Sequence, residues 1–382
     1  MKKSKLAIII SHPIQYYSPW FQFISSKNQI DLKVFYTWGA SSITKYERDF
    51  GQFVTWDKNL LQGYNYIFLK NYAIKKGTNH FWGIINFDLK QEINKFNPDE
   101  IIVFGWSWWS HFWFITSYIG KAKLSFRGDS NLLDIKNSKL KEFLKYWLLK
   151  TIYSKIEKFY SVGVANESYY YMFGVSKNKI IRMPHCIDNE WFTSNKIERQ
   201  NLRLHYQIKD HEIVLLFCGK LINKKSPELL LRSFIQSDRK DIWLFFIGSG
   251  ILEEKLKNIS DNHPKIKFLG FKNQTEMISM YSMGDIICLP SQGPNETWGL
   301  VVNEAMASGI PAIASDKCGC AEDLVKGNGF VFSNFDELVN ILKNLNKEDL
   351  KIRGNKAAEI VRNNFSYETN YQILLNSLNE YQ

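Results

Sequence analysis

Between Met283 and Phe330 the chain alternates short apolar runs with loop chemistry, in an order that suits a parallel strand, loop, helix, strand unit. Asp285–Pro290 (DIICLP) is an apolar run closed by proline, as in a strand buried on both faces. Ser291–Glu296, with Gly293, Pro294 and Asn295, has loop composition. A helix is expected to start near Trp298, with Asn295 or Thr297 as its N-cap, and to end at Gly309 just before Pro311. Ile310–Ser315 reads as the next buried strand.

Two carboxylates frame this helix, Glu296 before it and Glu304 inside it, with seven residues between them. A helix N-terminus presents unpaired N–H groups and the positive end of a dipole, so the amides of Gly299, Leu300 and Val301 suit a phosphate. Gly299 lets backbone approach a ligand closely. Ionised carboxylates only accept hydrogen bonds, which suits them to sugar hydroxyls. The combination points to a sugar joined to a phosphate. The spacing alone also allows a capped helix with solvated glutamates.

The segment PSQGPNETWGLVVNEAMASGIPAIAS resembles the donor-site signature of GT-B glycosyltransferases of family 4 (glycosyl transferases group 1), whose usual form is close to PSxxEGFGLVxxEAMAxGxPVVAS. The likeness runs over about 25 residues, with Thr297 and Trp298 in place of the usual Gly-Phe. It implies an α/β chain of the GT-B type: two Rossmann-like domains with mostly parallel sheets facing a central cleft. The expected divisions are an acceptor-binding domain over 1–190, a donor-binding domain over 191–365, and a helix over 366–382 that crosses back to the first domain. The resemblance implies retaining, metal-independent transfer of a sugar from a nucleotide-diphosphate sugar to a saccharide or lipid-linked acceptor. It would serve bacterial surface polysaccharide assembly (O-antigen, capsule or lipopolysaccharide). No cofactor or metal is expected, and no Asp-x-Asp motif is present.

By the same resemblance Glu296 holds the donor sugar and Glu304 the ribose. Glu212–Cys218 (EIVLLFC) is a buried strand, and Gly219-Lys220-Leu221-Ile222-Asn223-Lys224-Lys225 follows it. The family usually has Gly-Arg-Leu-x-x-x-Lys here, which puts Lys220 and Lys225 on the donor diphosphate. Lysine lacks the bidentate fork of arginine, so the geometry at Lys220 is looser. Taken without the resemblance, lysines after a strand are commonly solvated. Trp243–Gly248 and Ile266–Phe271 are further strands, with Gly248 at a donor-side turn and Phe271 and Lys272 flanking the base.

The first half reads as a doubly wound unit, with strands at Leu6–Ser11, Asp31–Tyr36, Glu100–Gly105 and Leu124–Phe126. Open α/β sheets bind ligands at the carboxyl ends of their strands. His12 and Gln15 follow the first strand, His111 lies in an aromatic run after the Glu100 strand, and all three are candidates for the acceptor side. SHPIQYYSPWF and Phe50–Tyr66 resemble a bacterial subset of the same family. Arg127 and Asp129 (RGDS) occupy a place where many family members carry a histidine facing the donor sugar, which makes both candidate catalytic residues. The other reading of RGDS is a turn with Asp129 as a helix cap. Ser161–Asn166 and Lys179–Pro184 are expected to be the last strands of this domain.

Lys139–Phe159 has apolar residues at helical spacing, and seven lysines fall between Lys136 and Lys158 against Glu142 and Glu157. The stretch 136–159 is therefore a candidate for an anionic membrane surface; the alternative packs its stripe on the sheet and solvates the lysines. The tryptophans between Trp106 and Trp113 suit either packing under the sheet or an interface. A net charge of +11 favours acidic partners, yet no nucleic-acid signature is present, so phosphorylated substrates or membrane surface are preferred to nucleic acid. Five cysteines without a Cys-x-x-Cys, and an N-terminal apolar run too short for a signal peptide, point to a reduced, cytoplasmic protein with optional peripheral attachment to the inner membrane face. The competing class is a GT-B-like protein that binds a sugar phosphate or a partner without turnover. An epimerase or a phosphorylase is a weaker alternative, and the pyridoxal lysine motif of the latter is not seen.

Overall fold

The apolar runs form strands buried on both faces, and the polar stretches between them form helices and loops. The computed structural model describes residues 3–42, 45–47, 52–54, 59–133, 139–193, 196–293 and 296–379. The chain divides into two units. The first comprises Met1–Lys45, Lys58–Pro184 and Tyr367–Gln382; the second comprises Tyr46–Asp57 and His185–Ser366. The division after Pro184, a few residues before the expected 190, has a local cause. The guanidinium of Arg127 donates to the carbonyl oxygens of Met183 (2.6 Å) and Pro184 (3.3 Å), tying the chain to the first unit up to that point.

The first unit holds β1 (Ser4–Ile10) and β2 (Ile30–Tyr36). A two-stranded ribbon, β3 (Lys45–Glu47) and β4 (Gln52–Val54), follows in sequence. Then come β5 (Asn65–Phe68), β6 (Glu100–Phe104), β7 (Lys123–Arg127), β8 (Lys158–Ser161) and β9 (Ile180–Arg182). The sheet order is β5-β2-β1-β6-β7-β8-β9, every pair parallel. The order reverses between β1 and β6, the kind of point at which such sheets bind ligands.

The second unit has β10 (Ile213–Cys218), β11 (Ile242–Ile247), β12 (Ile266–Phe268), β13 (Ile286–Leu289), β14 (Ala312–Ser315) and β15 (Phe330–Phe332). Their order is β12-β11-β10-β13-β14-β15, again parallel throughout, with the reversal between β10 and β13. Asp285 pins that central pair: its carboxylate accepts from the Val214 amide of β10 at 2.7 Å. Burial acts to raise the pKa of Asp285, but the cations Arg199, Lys347 and Arg203 outweigh it and hold the carboxyl below its ordinary range.

Two expectations are corrected. The helix expected over Lys139–Phe159 ends at Ser154, and Lys158–Ser161 is a strand paired with β7. Ile156 and Phe159 are both buried, so apolar spacing continues past the helix end and mimics a longer one. Ser161–Asn166 is not a strand, because a helix starts at Val164 directly after β8. Helix Lys139–Ser154 buries Leu149, Ile152 and Tyr153 in the core of its unit. It leaves Phe143, Leu144, Trp147 and Leu148 between 42 and 60% exposed. Residues 136–138 of the basic stretch, Asn295, and parts of 50–66 lie outside the described residues.

A buried polar network ties helix Tyr367–Asn379 to the first unit. Lys158 Nζ donates to the Ser377 carbonyl (2.6 Å) and hydroxyl (2.7 Å) and lies 3.9 Å from the Glu100 carboxylate. Ser125 and Tyr160 also donate to Glu100. Burial raises the Glu100 pKa above its ordinary value; Ser125, Lys158 and Tyr160 oppose the rise. A carboxyl raised in the folded state contributes stability when protonated and loses it as pH rises through its folded pKa. Lys158→Met leaves Glu100 without its cation, which costs roughly 3–5 kcal/mol near neutral pH. Denaturant unfolding is expected to show this loss shrinking as pH is lowered and Glu100 takes up its proton; a loss independent of pH would contradict the assignment.

Candidate active site

Parallel strands deliver their following loops to one edge of the sheet. At the reversal point of the second unit, β10 and β13 send their chains to opposite sides, which leaves room between the tips. Lys220 and Lys225 follow β10, and Glu296 follows β13. Lys225 Nζ forms an ion pair with Glu296 Oε2 at 2.5 Å, and the Ser291 hydroxyl donates to the same oxygen at 2.9 Å. Glu296 is 5% exposed, so its charge is held by these partners rather than by water. The loop carrying it is clamped from behind. The Gly319 amide donates to the Glu296 carbonyl and the Cys320 amide to the Trp298 carbonyl, each at 3.1 Å.

The helix after this loop begins later than the sequence indicates, at Leu300 rather than near Trp298. Its N-cap is Gly299, neither Asn295 nor Thr297, and among the described residues no side chain caps it. Gly299 has φ +111°, which an L side chain rarely adopts, and a Cβ there would lie 2.4 Å from Leu289 Cδ2. The amides of Gly299, Leu300 and Val301 are thus the leading donors of a helix end at the tip of β13, as an anion-binding end requires. Trp298 is buried, its indole N–H donates to Asn303 Oδ1 (2.8 Å), and its ring lies against His185 and Phe365. The departure from Gly-Phe therefore fills the core behind the loop.

Glu304, one turn into the helix, is also 5% exposed and accepts from the Tyr281 hydroxyl at 2.5 Å. The Cys218 thiol lies beside this pair, and burial, then the Glu304 charge, raises its pKa so that it stays neutral. Gly248, at the tip of β11, packs so closely on β10 that a Cβ would meet the Gly219 carbonyl oxygen at 2.0 Å. Phe271 and Lys272 follow β12, where Lys272 is paired with Glu276 at 2.9 Å. Ser291 and Tyr281 were not singled out from the sequence. Ser291 sits inside the donor-site motif and was legible there. Tyr281 lies 23 positions before its partner and is marked by no spacing rule.

The first-unit candidates are arranged differently. His12 Nδ1 lies 2.8 Å from the Ser11 hydroxyl, and its ring meets Trp38 edge-on. Gln15 is half-buried in the same loop. His111, a candidate for the acceptor side or cleft, is fully buried. Its Nε2 is 2.9 Å from the Thr37 hydroxyl, and its Nδ1 lies within 3.0 and 3.2 Å of the Gly105 and Phe104 carbonyls. Burial pushes its pKa down to about 4, so it is a neutral core histidine. Arg127 is likewise buried, with its guanidinium committed to the Met183 and Pro184 carbonyls, so it acts as a clamp on the backbone. Asp129 is exposed and, among the described residues, caps no helix; the next described one starts at Lys139.

Residues 198–365 match the family model described as glycosyl transferases group 1, nearly the whole of the second unit. An uncharacterised glycosyltransferase of Methanocaldococcus jannaschii is 32% identical over 129 residues, 33% of each chain. A lipopolysaccharide 1,2-N-acetylglucosaminetransferase of Salmonella typhimurium is 28% identical over 194 residues, 46% of this chain and 50% of that protein. The chain thus spans a third to a half of these curated relatives. An Anabaena structure in complex with UDP and glucose superposes with a TM-score of 0.70 at 15% identity, covering 99% of this chain and 100% of that one, which shows a shared fold.

Gly299→Ala adds left-handed strain and a clash with Leu289, together roughly 2–4 kcal/mol. Denaturant unfolding is expected to show that loss; an alanine tolerated without cost would mean that the loop does not hold the described conformation.

Proposed function

We propose that this chain, whose residues 198–365 match the glycosyl transferases group 1 model and which has the GT-B fold, is a member of that family and moves a sugar from a nucleoside-diphosphate sugar to a saccharide or lipid-linked saccharide. The observation that carries this is the meeting of Lys225, Glu296 and the start of helix Leu300–Ala307 at the reversal of the second sheet. As the glycosidic bond to the diphosphate breaks, negative charge builds on the leaving oxygen. Lys225, paired with Glu296, and the amides of Gly299, Leu300 and Val301 are in place before that charge appears, which is electrostatic catalysis, and Lys220 joins them by the family resemblance. Glu296, steadied by Ser291 and Lys225, accepts from the sugar hydroxyls, and Glu304 accepts from the ribose. In this reading protein cations carry the leaving charge without a metal, and the transfer retains anomeric configuration, as the family resemblance implies. A departing phosphate oxygen can take the acceptor proton, so no protein base is required. The Salmonella relative supports a surface-polysaccharide acceptor.

Calorimetric titration with UDP, GDP, ADP and their sugar conjugates, followed by a nucleotide-release assay, tests the reading. One nucleotide should bind at micromolar strength. Lys225→Ala should then lower kcat, by roughly 2–4 kcal/mol in transition-state stabilisation. If no nucleotide binds and the variant matches wild type, the non-catalytic alternative replaces this reading.

We also propose that the first unit rests on an anionic membrane surface. Among the described residues no helix is long and apolar enough to cross a membrane. Helix Lys139–Ser154, however, turns Phe143, Leu144, Trp147 and Leu148 outward, with Lys150 over the Trp147 ring. The same helical layer exposes Phe87 and stacks Trp109 on Trp113, with Lys90 over Trp113. Apolar side chains beside lysines suit the boundary between headgroups and acyl chains. This reading puts the protein on the inner face of the cytoplasmic membrane. The protein should sediment with phosphatidylglycerol vesicles at low salt, and a Leu144→Glu, Trp147→Glu double variant should stay in solution; absence of wild-type sedimentation would contradict the reading.

A further inference from the structure

The ribose role of Glu304 leaves a physical problem. A glutamate has three rotatable bonds, and recognition of a vicinal diol needs the carboxylate in one orientation. Burial does not supply that orientation, since it only removes water from an acceptor that must then find donors. The structure provides a donor on a separate element. Tyr281 projects from helix Gln274–Met283, and its hydroxyl reaches Glu304 Oε2 on helix Leu300–Ala307 at 2.5 Å. Tyr281 is 0% exposed, and its ring meets Phe192 edge-on at 6.0 Å. Phe192 is itself fixed, because its carbonyl accepts from the Ser308 hydroxyl at 2.6 Å. Ser308 also bonds the Glu304 carbonyl at 3.0 Å, so the phenol and the backbone of its target are held by one set of contacts. A phenol so confined directs its O–H along one line, and a charge-assisted bond of this kind is stronger than a neutral one.

We infer that Tyr281 is a positioning residue for the nucleotide ribose: its hydroxyl fixes the Glu304 carboxylate so that the carboxylate accepts from the ribose diol. The inference rests on the proposed role of Glu304. Tyr281 itself touches no substrate. Its phenol takes one lone pair of Oε2, and an ionised carboxylate has about four such sites. The Cys218 thiol, which also hydrogen-bonds with the Tyr281 hydroxyl, is kept neutral by burial and adds no charge to the pair.

The test is calorimetric binding of UDP, GDP and ADP, and of the 2′,3′-dideoxy form of each, to wild type, Tyr281→Phe and Glu304→Gln. Phenylalanine keeps the ring against Phe192 and removes only the oxygen. For the nucleotide that binds wild type, Tyr281→Phe should weaken the ribonucleotide about tenfold and leave the dideoxy form within twofold. Equal effects on the two forms, or none, would overturn the inference, since a tyrosine that only fills space does not distinguish them. Glu304→Gln separates the ribose role of Glu304 from the positioning role of Tyr281. If it leaves ribonucleotide binding unchanged, or if no nucleotide binds, the ribose role of Glu304 fails and the inference falls with it. If it weakens binding while Tyr281→Phe does not, only the positioning role fails. Should Tyr281→Phe not fold, ring-labelled tyrosine in the wild-type protein serves instead. Ribonucleotide binding should move a buried tyrosine resonance that the dideoxy form leaves in place, and no such resonance would overturn the inference.

Discussion

The second unit depends on holding two carboxylates away from water with a hydrogen-bond donor on each. Glu296 and Glu304 are each 5% exposed, and each has a donor already in position. For Glu296 it is the Lys225 ammonium with the Ser291 hydroxyl; for Glu304 it is the Tyr281 phenol. Removing one partner of such an arrangement leaves a buried charge, which costs several kcal/mol. The surrounding backbone is correspondingly tight. The Gly319–Cys320 turn hydrogen-bonds the donor loop from behind, and the close contacts at Gly299 and Gly248 leave no space for a side chain. In the proposed transfer, a site fixed before the substrate arrives need not reorganise as charge develops, which is how electrostatic catalysis would act there.

The first unit uses polar burial for another purpose. Its network of Glu100, Ser125, Tyr160, Lys158 and Ser377 lies at the start of β6 and β8 and ties down helix Tyr367–Asn379. Arg127 and His111 also spend their polar atoms on backbone carbonyls. These groups consolidate the unit instead of facing a ligand. His12, beside Ser11 and Trp38 at the tip of β1, is the first-unit candidate that stands at a sheet reversal.

The fold of the second unit was legible because short buried parallel strands leave continuous apolar runs, and the two glutamates stood out because they fall in a motif with fixed spacing. Strands such as Ile213–Cys218 and Ile242–Ile247 follow their apolar runs within a residue. The misread places have physical reasons. Ile156 and Phe159 continue a helical spacing across a turn, so the helix end at Ser154 was hidden by tertiary burial. The N-cap at Gly299 was missed because polar loop residues nearby are better local caps, whereas packing against Leu289 decides the position. Arg127 and His111 carry chemistry-bearing side chains at strand ends, and only three-dimensional contacts reveal that their polar atoms are already engaged. Tyr281 left no local trace, since its role depends on a residue from another helix.

The most direct measurement is a crystal structure of the protein with its bound nucleoside diphosphate. The pyrophosphate should lie against the Leu300 and Val301 amides and Lys225, with the ribose hydroxyls on Glu304. A nucleotide bound elsewhere, or a pyrophosphate distant from that helix end, would contradict it.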